Sequence, residues 1–205
     1  MKALKYLLAT ALLSGSGFAH SNLIINGGFE HHNIASGWTY GPDTSGGWQG
    51  GNIEVWASGF NGVESFEGDN HAELNAHSNS QQSDAWMIYQ SFNTVQGGLY
   101  EVGFAYRARR NHAESCLFEL LDENMNAILS GTMDQHEKEG WSTYANSFRA
   151  TGDTKTIRFT SITPEAGTVG NFLDAVSVTQ VPVPAVPSLM LAGLLGFGLS
   201  RRAKS

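Results

Sequence analysis

The chain has 205 residues, 12 Lys and Arg against 19 Asp and Glu, a formal net charge of −7 and one cysteine. Five of the twelve bases (Lys2, Lys5, Arg201, Arg202 and Lys204) lie in the terminal segments and all nineteen acids lie between them, so the body, with seven bases against nineteen acids, carries −12. That balance excludes nucleic acid as a partner, because phosphates need a cationic face, and a single cysteine excludes an internal disulfide.

The chain opens with a basic segment, Met1-Lys2-Ala3-Leu4-Lys5, then a short apolar stretch over 6–18 and small residues at Gly17 and Ala19. This is the pattern of a secretory signal peptide cut after Ala19. Residues 20–180 form one domain of roughly 160 residues, enough for a sizeable core. Glycine and Asn/Asp turns punctuate it, and its short alternating apolar runs predict strands near 23–25, 52–56, 71–76, 86–93, 99–107, 115–121, 127–132, 141–149, 156–161 and 172–179. A helix over 113–129 is the competing reading, weakened by Asn124 and Asn126. The expected fold is all-β, a single β-sandwich. Cys116, flanked by Ser115 and Leu117-Phe118, reads as a core thiol.

Alternation assigns faces. His71, Glu73, Asn75 and His77 share one face of their strand, as a solvated row or as the floor of a sugar groove. Glu101, Ala105, Arg107 and Arg109 lie opposite Val102, Phe104 and Tyr106. Asp174 has the parity of Phe172, Val176 and Val178, which places a carboxylate among core side chains, a costly arrangement unless it is paired or coordinated. With Glu30 it supplies two hard oxygen donors of the kind Ca²⁺ prefers; the alternatives are a turn cap or a pair with Arg158. For stacking on sugar rings, Trp48 in its Gly-rich loop and Trp56 beside Glu54 are the candidates. Trp38 and Trp86 read as structural. The ligand-binding set is therefore Trp48, Trp56, Glu73, Asn75 and Arg107, with Glu30 and Asp174 as the metal pair.

Catalysis finds less support. Glu64, Glu67, Asp69 and Glu73 are abundant acids without a readable pair geometry. His31-His32 point to opposite faces of a strand, and His71 and His77 stand about 20 Å apart on an extended one. Neither a His-Glu-x-x-His motif nor a Gly-x-Ser-x-Gly elbow is present. The expectation is a non-enzyme.

After the domain come Val181-Pro182-Val183-Pro184, the apolar run 188–200 and Arg201-Arg202. The prolines make an extended spacer. About fifteen uncharged residues reach roughly 22 Å as a helix, against about 30 Å of hydrocarbon, and the basic end stays on the cytoplasmic side.

This tail, 181–205, resembles the sorting signal of PEP-CTERM proteins, carried here by Val181, Pro182, Pro184, Leu191-Ala192-Gly193-Leu194-Leu195-Gly196, Arg201 and Arg202, with Val183 where that family has its Glu. The resemblance implies export in a Gram-negative bacterium, an exosortase-type transpeptidase as partner, inner-membrane anchoring at least in transit, and a destination at the cell surface or extracellular matrix. The body resembles jelly-roll carbohydrate-binding modules with a galactose-binding-like fold, through Asn22-Leu23-Ile24-Ile25-Asn26-Gly27-Gly28-Phe29-Glu30, Gly37-Trp38 and Phe172-Leu173-Asp174-Ala175-Val176-Ser177-Val178. That resemblance implies a structural Ca²⁺ on Glu30 and Asp174. The function expected is an exported, envelope-associated, non-catalytic module that binds a polysaccharide or glycoconjugate. A structural or adhesive surface protein without a specific ligand is the alternative, and a polysaccharide-degrading enzyme a more distant one.

Overall fold

The computed structural model describes residues 21–41, 46–50, 53–75, 87–110, 113–134, 139–164 and 167–182. The signal segment, His77, Trp86, Pro184, Arg201 and Arg202 lie outside the described residues. Among the described residues eleven strands follow one another: β1 (Trp38–Gly41), β2 (Gln49–Gly50), β3 (Ile53–Ala57), β4 (Asn70–Glu73), β5 (Met87–Asn93), β6 (Leu99–Arg107), β7 (Ser115–Leu121), β8 (Ala127–Met133), β9 (Ser142–Arg149), β10 (Thr154–Thr163) and β11 (Phe172–Gln180). They pair antiparallel into a six-stranded sheet, β1-β3-β4-β11-β6-β9, and a five-stranded sheet, β2-β5-β10-β7-β8. This is a jelly-roll β-sandwich, as expected. Among the described residues there is no α-helix, and none is long and apolar enough to cross a membrane.

The region 113–129 is a hairpin rather than a helix. Asp122 gathers the turn by accepting from the backbone N–H groups of Asn124 (2.9 Å) and Asn126 (2.8 Å), the local competition that makes Asp and Asn turn residues. The core lies between the sheets and is built from inward positions such as Val102, Phe104, Phe118, Leu120, Ile157, Phe159, Leu173 and Val178. Cys116 is buried there, and burial pushes its thiol up to about 12, so it is an inert apolar filler.

Two corrections concern the ends of the domain. The segment 23–25 is no strand. Instead Asn22 bonds like a strand edge: its Nδ2 donates to Val176 O (2.9 Å) and its Oδ1 accepts from the N–H of Val178 (2.9 Å). In β11 the pairing with β6 slips between Asp174↔Ala105 and Ser177↔Gly103, so three steps on one strand meet two on the other. Ala175 takes a left-handed φ of 52° at this bulge. One extra residue inverts parity. Leu173, Val176 and Val178 therefore face the core, while Phe172 and Asp174 face outward, against the parity expected for Asp174.

The central strands β3 and β4 are buried on both faces. That is unusual for an antiparallel sandwich, whose outer face is commonly wet. Here the β3–β4 connection folds back over the sheet, and Trp56, Val63 and Phe172 form a second apolar cluster with Phe60 and Trp141 packed on it.

Candidate functional site

The outer face of the six-stranded sheet is where most of the sequence candidates meet. Register places Trp38 opposite Trp56 and Tyr40 opposite Glu54 across β1 and β3. Trp56 in turn faces His71, and Glu54 faces Glu73, across β3 and β4. Glu73 then faces Phe172, and Phe172 faces Arg107. The floor is thus aromatic and ionisable, but most of it is closed.

Trp56 is 2% exposed. Its Nε1 donates to Glu54 Oε1 (2.6 Å), Phe60 meets it edge-on, and the Arg109 guanidinium sits 4.5 Å from its ring centroid, a cation–π contact. The parity that paired it with Glu54 was right, but that face is covered, so Trp56 offers no ring surface to a sugar. Trp48 is 1% exposed. Gly47, at φ +84°, turns the loop so that the indole stacks on Phe29 at 5.4 Å and donates from Nε1 to Asn26 O (3.0 Å). It belongs to the core.

Glu73 is buried and bound. Arg109 Nη1 donates to both of its oxygens (2.9 and 3.0 Å), and Gly170 N–H donates to Oε1 (2.7 Å). Burial pushes its carboxyl up to about 8 against the pull of Arg109. Asn75 is equally buried, with Nδ2 on Pro164 O (3.1 Å) and Oδ1 accepting from Ser161 Oγ (2.7 Å). Both are anchors rather than open ligand contacts, because their polar atoms already have partners. Arg107 alone of the five has an unsatisfied polar atom: the residue is half-buried, and its Nε is buried without a hydrogen-bond partner.

His71 is fully buried among Trp56, Trp141 and Phe172. Its Nδ1 shares a hydrogen bond with Ser65 Oγ (2.9 Å), and its Nε2 has none. Burial and the Arg107 charge lower its pKa to about 4, so the ring is neutral.

Glu30 and Asp174 each pin the β3–β4 connection. Glu30 Oε1 accepts from the N–H groups of Asp69 (2.8 Å) and Asn70 (3.0 Å), and Oε2 from Asn70 Nδ2 (2.7 Å). Asp174 Oδ2 accepts from Phe66 N–H (2.8 Å) and Glu67 N–H (3.1 Å), and Oδ1 from its neighbour Ala175 (2.7 Å). Gly68, at φ +58°, has no room for a Cβ because Glu30 Oε1 lies there. Arg158 pairs with Glu119 instead of Asp174, at 2.7 Å. Burial, aided by the charge of Glu67, raises Asp174 to about 7.

Each of the two carboxylates accepts three N–H bonds of the roughly four it can take, and neither makes an ion pair among the described residues. Each carboxylate thus retains acceptor capacity of the hard-oxygen kind that Ca²⁺ takes. No group of three or more His, Cys, Asp or Glu side chains is gathered among the described residues, so a calcium ion here would draw further oxygens from the main chain.

The open aromatic surface is one that sequence reading passed over. Trp38 and Tyr40 are 40% and 44% exposed, and their rings stack at 5.7 Å on the edge strand β1. The signal was present in the Trp-x-Tyr spacing, which puts both rings on one strand face. A further shallow groove of about 270 Å³ lies on the opposite sheet, lined by Met87, Tyr89, Met125, Thr156 and Arg158.

The protein is thus a jelly-roll sandwich with one acid-pinned, aromatic outer face and an exposed aromatic pair at its edge. The chain belongs to the family described as "Protein of unknown function (DUF642)", which matches residues 22–179. A comparison with curated proteins gives no match. Among solved structures, an arabinose-bound GH51 α-L-arabinofuranosidase is similar with a TM-score of 0.50 at 10% identity, over 85% of this chain and 28% of the other. A structure described as "CBM4 structure and function" gives 0.44 at 13% identity, over 77% and 99%. The CBM22-1 xylan-binding domain of Paenibacillus barcinonensis Xyn10C gives 0.45 at 13%, over 73% and 99%.

Proposed function

We propose that the protein is an exported, non-catalytic module that binds glycan on the edge of its six-stranded sheet. The observation that carries this reading is the stacked, half-open Trp38–Tyr40 pair, since sugar C–H faces pack on exposed aromatic rings and polar groups alongside fix orientation. The xylan-binding activity named for one structural neighbour is consistent with it. The buried acids Glu54 and Glu73 serve the architecture, and the role needs no bond-breaking group. A calcium ion on Glu30 and Asp174 would hold the β3–β4 connection over the sheet. The tail, through Val181, Pro182, Pro184, Arg201 and Arg202, would deliver the module through an exosortase-type transpeptidase to the envelope or matrix. A glycan array probed with the full-length protein and with the Trp38→Ala/Tyr40→Ala double variant tests the binding. The variant should keep its β-sheet circular dichroism and lose at least tenfold in affinity; unchanged affinity would remove the platform from the site.

A further inference from the structure

Residues 110, 113 and 114, just after β6, and residues 163, 164 and 167–169, between β10 and β11, flank a cleft of about 420 Å³. Its walls are Arg110, Ala113, Glu114, Thr163, Pro164, Gly167, Thr168 and Val169; the three that matter are Arg110, Thr163 and Thr168. Glu114 is buried and its carboxylate is spent on the backbone: it accepts from the N–H groups of Arg109 and Arg110, the latter at 3.0 Å to each oxygen. That clamp fixes the main chain of Arg110 and leaves its side chain free. The guanidinium of Arg110 makes no ion pair or hydrogen bond among the described residues, and neither do the hydroxyls of Thr163 and Thr168. On the opposite wall Thr168 is held, because Arg109 Nη1 donates to Thr168 O (3.0 Å) while it binds Glu73. Behind Thr163, the fully buried Asn171 donates from Nδ2 to Ser115 O (3.0 Å) and its Oδ1 has no donor.

A guanidinium and two hydroxyls without partners among the described residues, beside a main chain held at Arg110 and Thr168, make a carboxylate reader with sugar-type flanking contacts. Arg presents a planar fork that matches a carboxylate bidentately. The volume is at the small end of the roughly 300–1,000 Å³ typical of small-molecule sites, which suits a chain end and not a long polymer segment. In a body of −12, an anionic ligand is repelled elsewhere, so an unpaired Arg in a cleft sets where such a ligand is accepted. Arg109 also joins this cleft to the covered aromatic cluster of the outer face, since one guanidinium touches Trp56, Glu73 and Thr168.

We propose that this cleft binds a carboxylate-bearing sugar residue, a uronate, at the end of a glycan chain, with Arg110 on the carboxylate and Thr163 and Thr168 on ring hydroxyls. The inference rests on the glycan-binding reading and names its ligand class.

The test uses the full-length protein and paired oligosaccharides ending in galacturonate, glucuronate or mannuronate, each alongside its C6-reduced neutral counterpart, by calorimetry. The expected result is at least tenfold tighter binding of one uronate-ended member than of its reduced twin, a ratio equivalent to about 1.4 kcal/mol. Arg110→Gln should abolish that ratio, with the loss in affinity falling mainly on the uronate-ended member. Equal affinity for both twins, or an Arg110→Gln variant that still prefers the uronate, overturns the cleft assignment while the glycan reading stands. Binding of neither series, in a protein whose circular dichroism shows intact sheet, overturns both.

Discussion

Lowering the pH should expose the cost of burying a neutral imidazole. His71 titrates at about 4 in the folded protein against 6.5 for an ordinary histidine. Its folded pKa is depressed, so between these values the unfolded chain binds the proton more readily. The contribution is fully present above about pH 6.5 and is lost as pH falls toward 4. The gap is worth up to about 3 kcal/mol. Glu73 and Asp174 act with the opposite sign. Their folded pKa values, about 8 and about 7, lie above the ordinary carboxylate range, so their contributions are present at low pH and fade as pH rises through neutrality. A wild-type curve alone would mix the three. The measurement is therefore urea unfolding by tryptophan fluorescence from pH 7.5 to 4.5 on the wild type and on His71→Gln, which keeps a polar partner for Ser65. The stability difference between the two should be flat above about pH 6.5 and shift against the wild type below it. A constant difference across the range, or an imidazole that titrates near 6.5 by NMR, would refute the reasoning.

Other outcomes follow from the same geometry. Trp48→Ala should cost roughly 3–5 kcal/mol in urea unfolding, as an emptied core site does, whereas Trp38→Ala should cost under about 1 kcal/mol; the reverse order would exchange their roles. Gly68→Ala should lower stability by about 1–3 kcal/mol, because it combines a positive φ with a collision against Glu30. Gly37→Ala, with positive φ and open space, should show the smaller loss in the same melts. Chelation should lower the Tm of the wild type and added Ca²⁺ restore it, with neither effect in Asp174→Asn; an EDTA-indifferent wild type would leave Glu30 and Asp174 as amide-binding pins alone.

The long strands were readable because their side chains alternate cleanly: β6 and β7 run over 99–107 and 115–121 as the sequence pattern predicts. β1 was not, because Trp-Thr-Tyr-Gly holds too few residues to show a period, and β2 is only two residues long. Asp174 was set on the wrong face because a bulge at Ala175 adds one residue, and parity counting has no signal for it. Trp56 was given the correct face and the wrong exposure. Alternation tells which side a residue points to, but whether a connection folds over that side depends on distant contacts, here Trp141 Nε1 to Glu64 O at 2.8 Å and the two acid pins. Glu30 and Asp174 each bind the backbone of the β3–β4 connection, a role as hydrogen-bond acceptors that alternation does not reveal.

The place of β11 in the six-stranded sheet has a kinetic consequence. It is the latest of the described strands to be made and it lies in the middle, between β4 and β6, where it also receives the opening segment through Leu23 N–H to Val178 O at 2.8 Å. Until residues 172–180 have left the ribosome, β4 and β6 have no partner on their inner edges, and that sheet exists as two separate ribbons. A chain threaded through a narrow channel in an unfolded form would keep this sheet open until β11 had passed. Closure is then a single late event governed by pairings between distant parts of the chain, which makes folding slow and leaves strand edges bare in the interval.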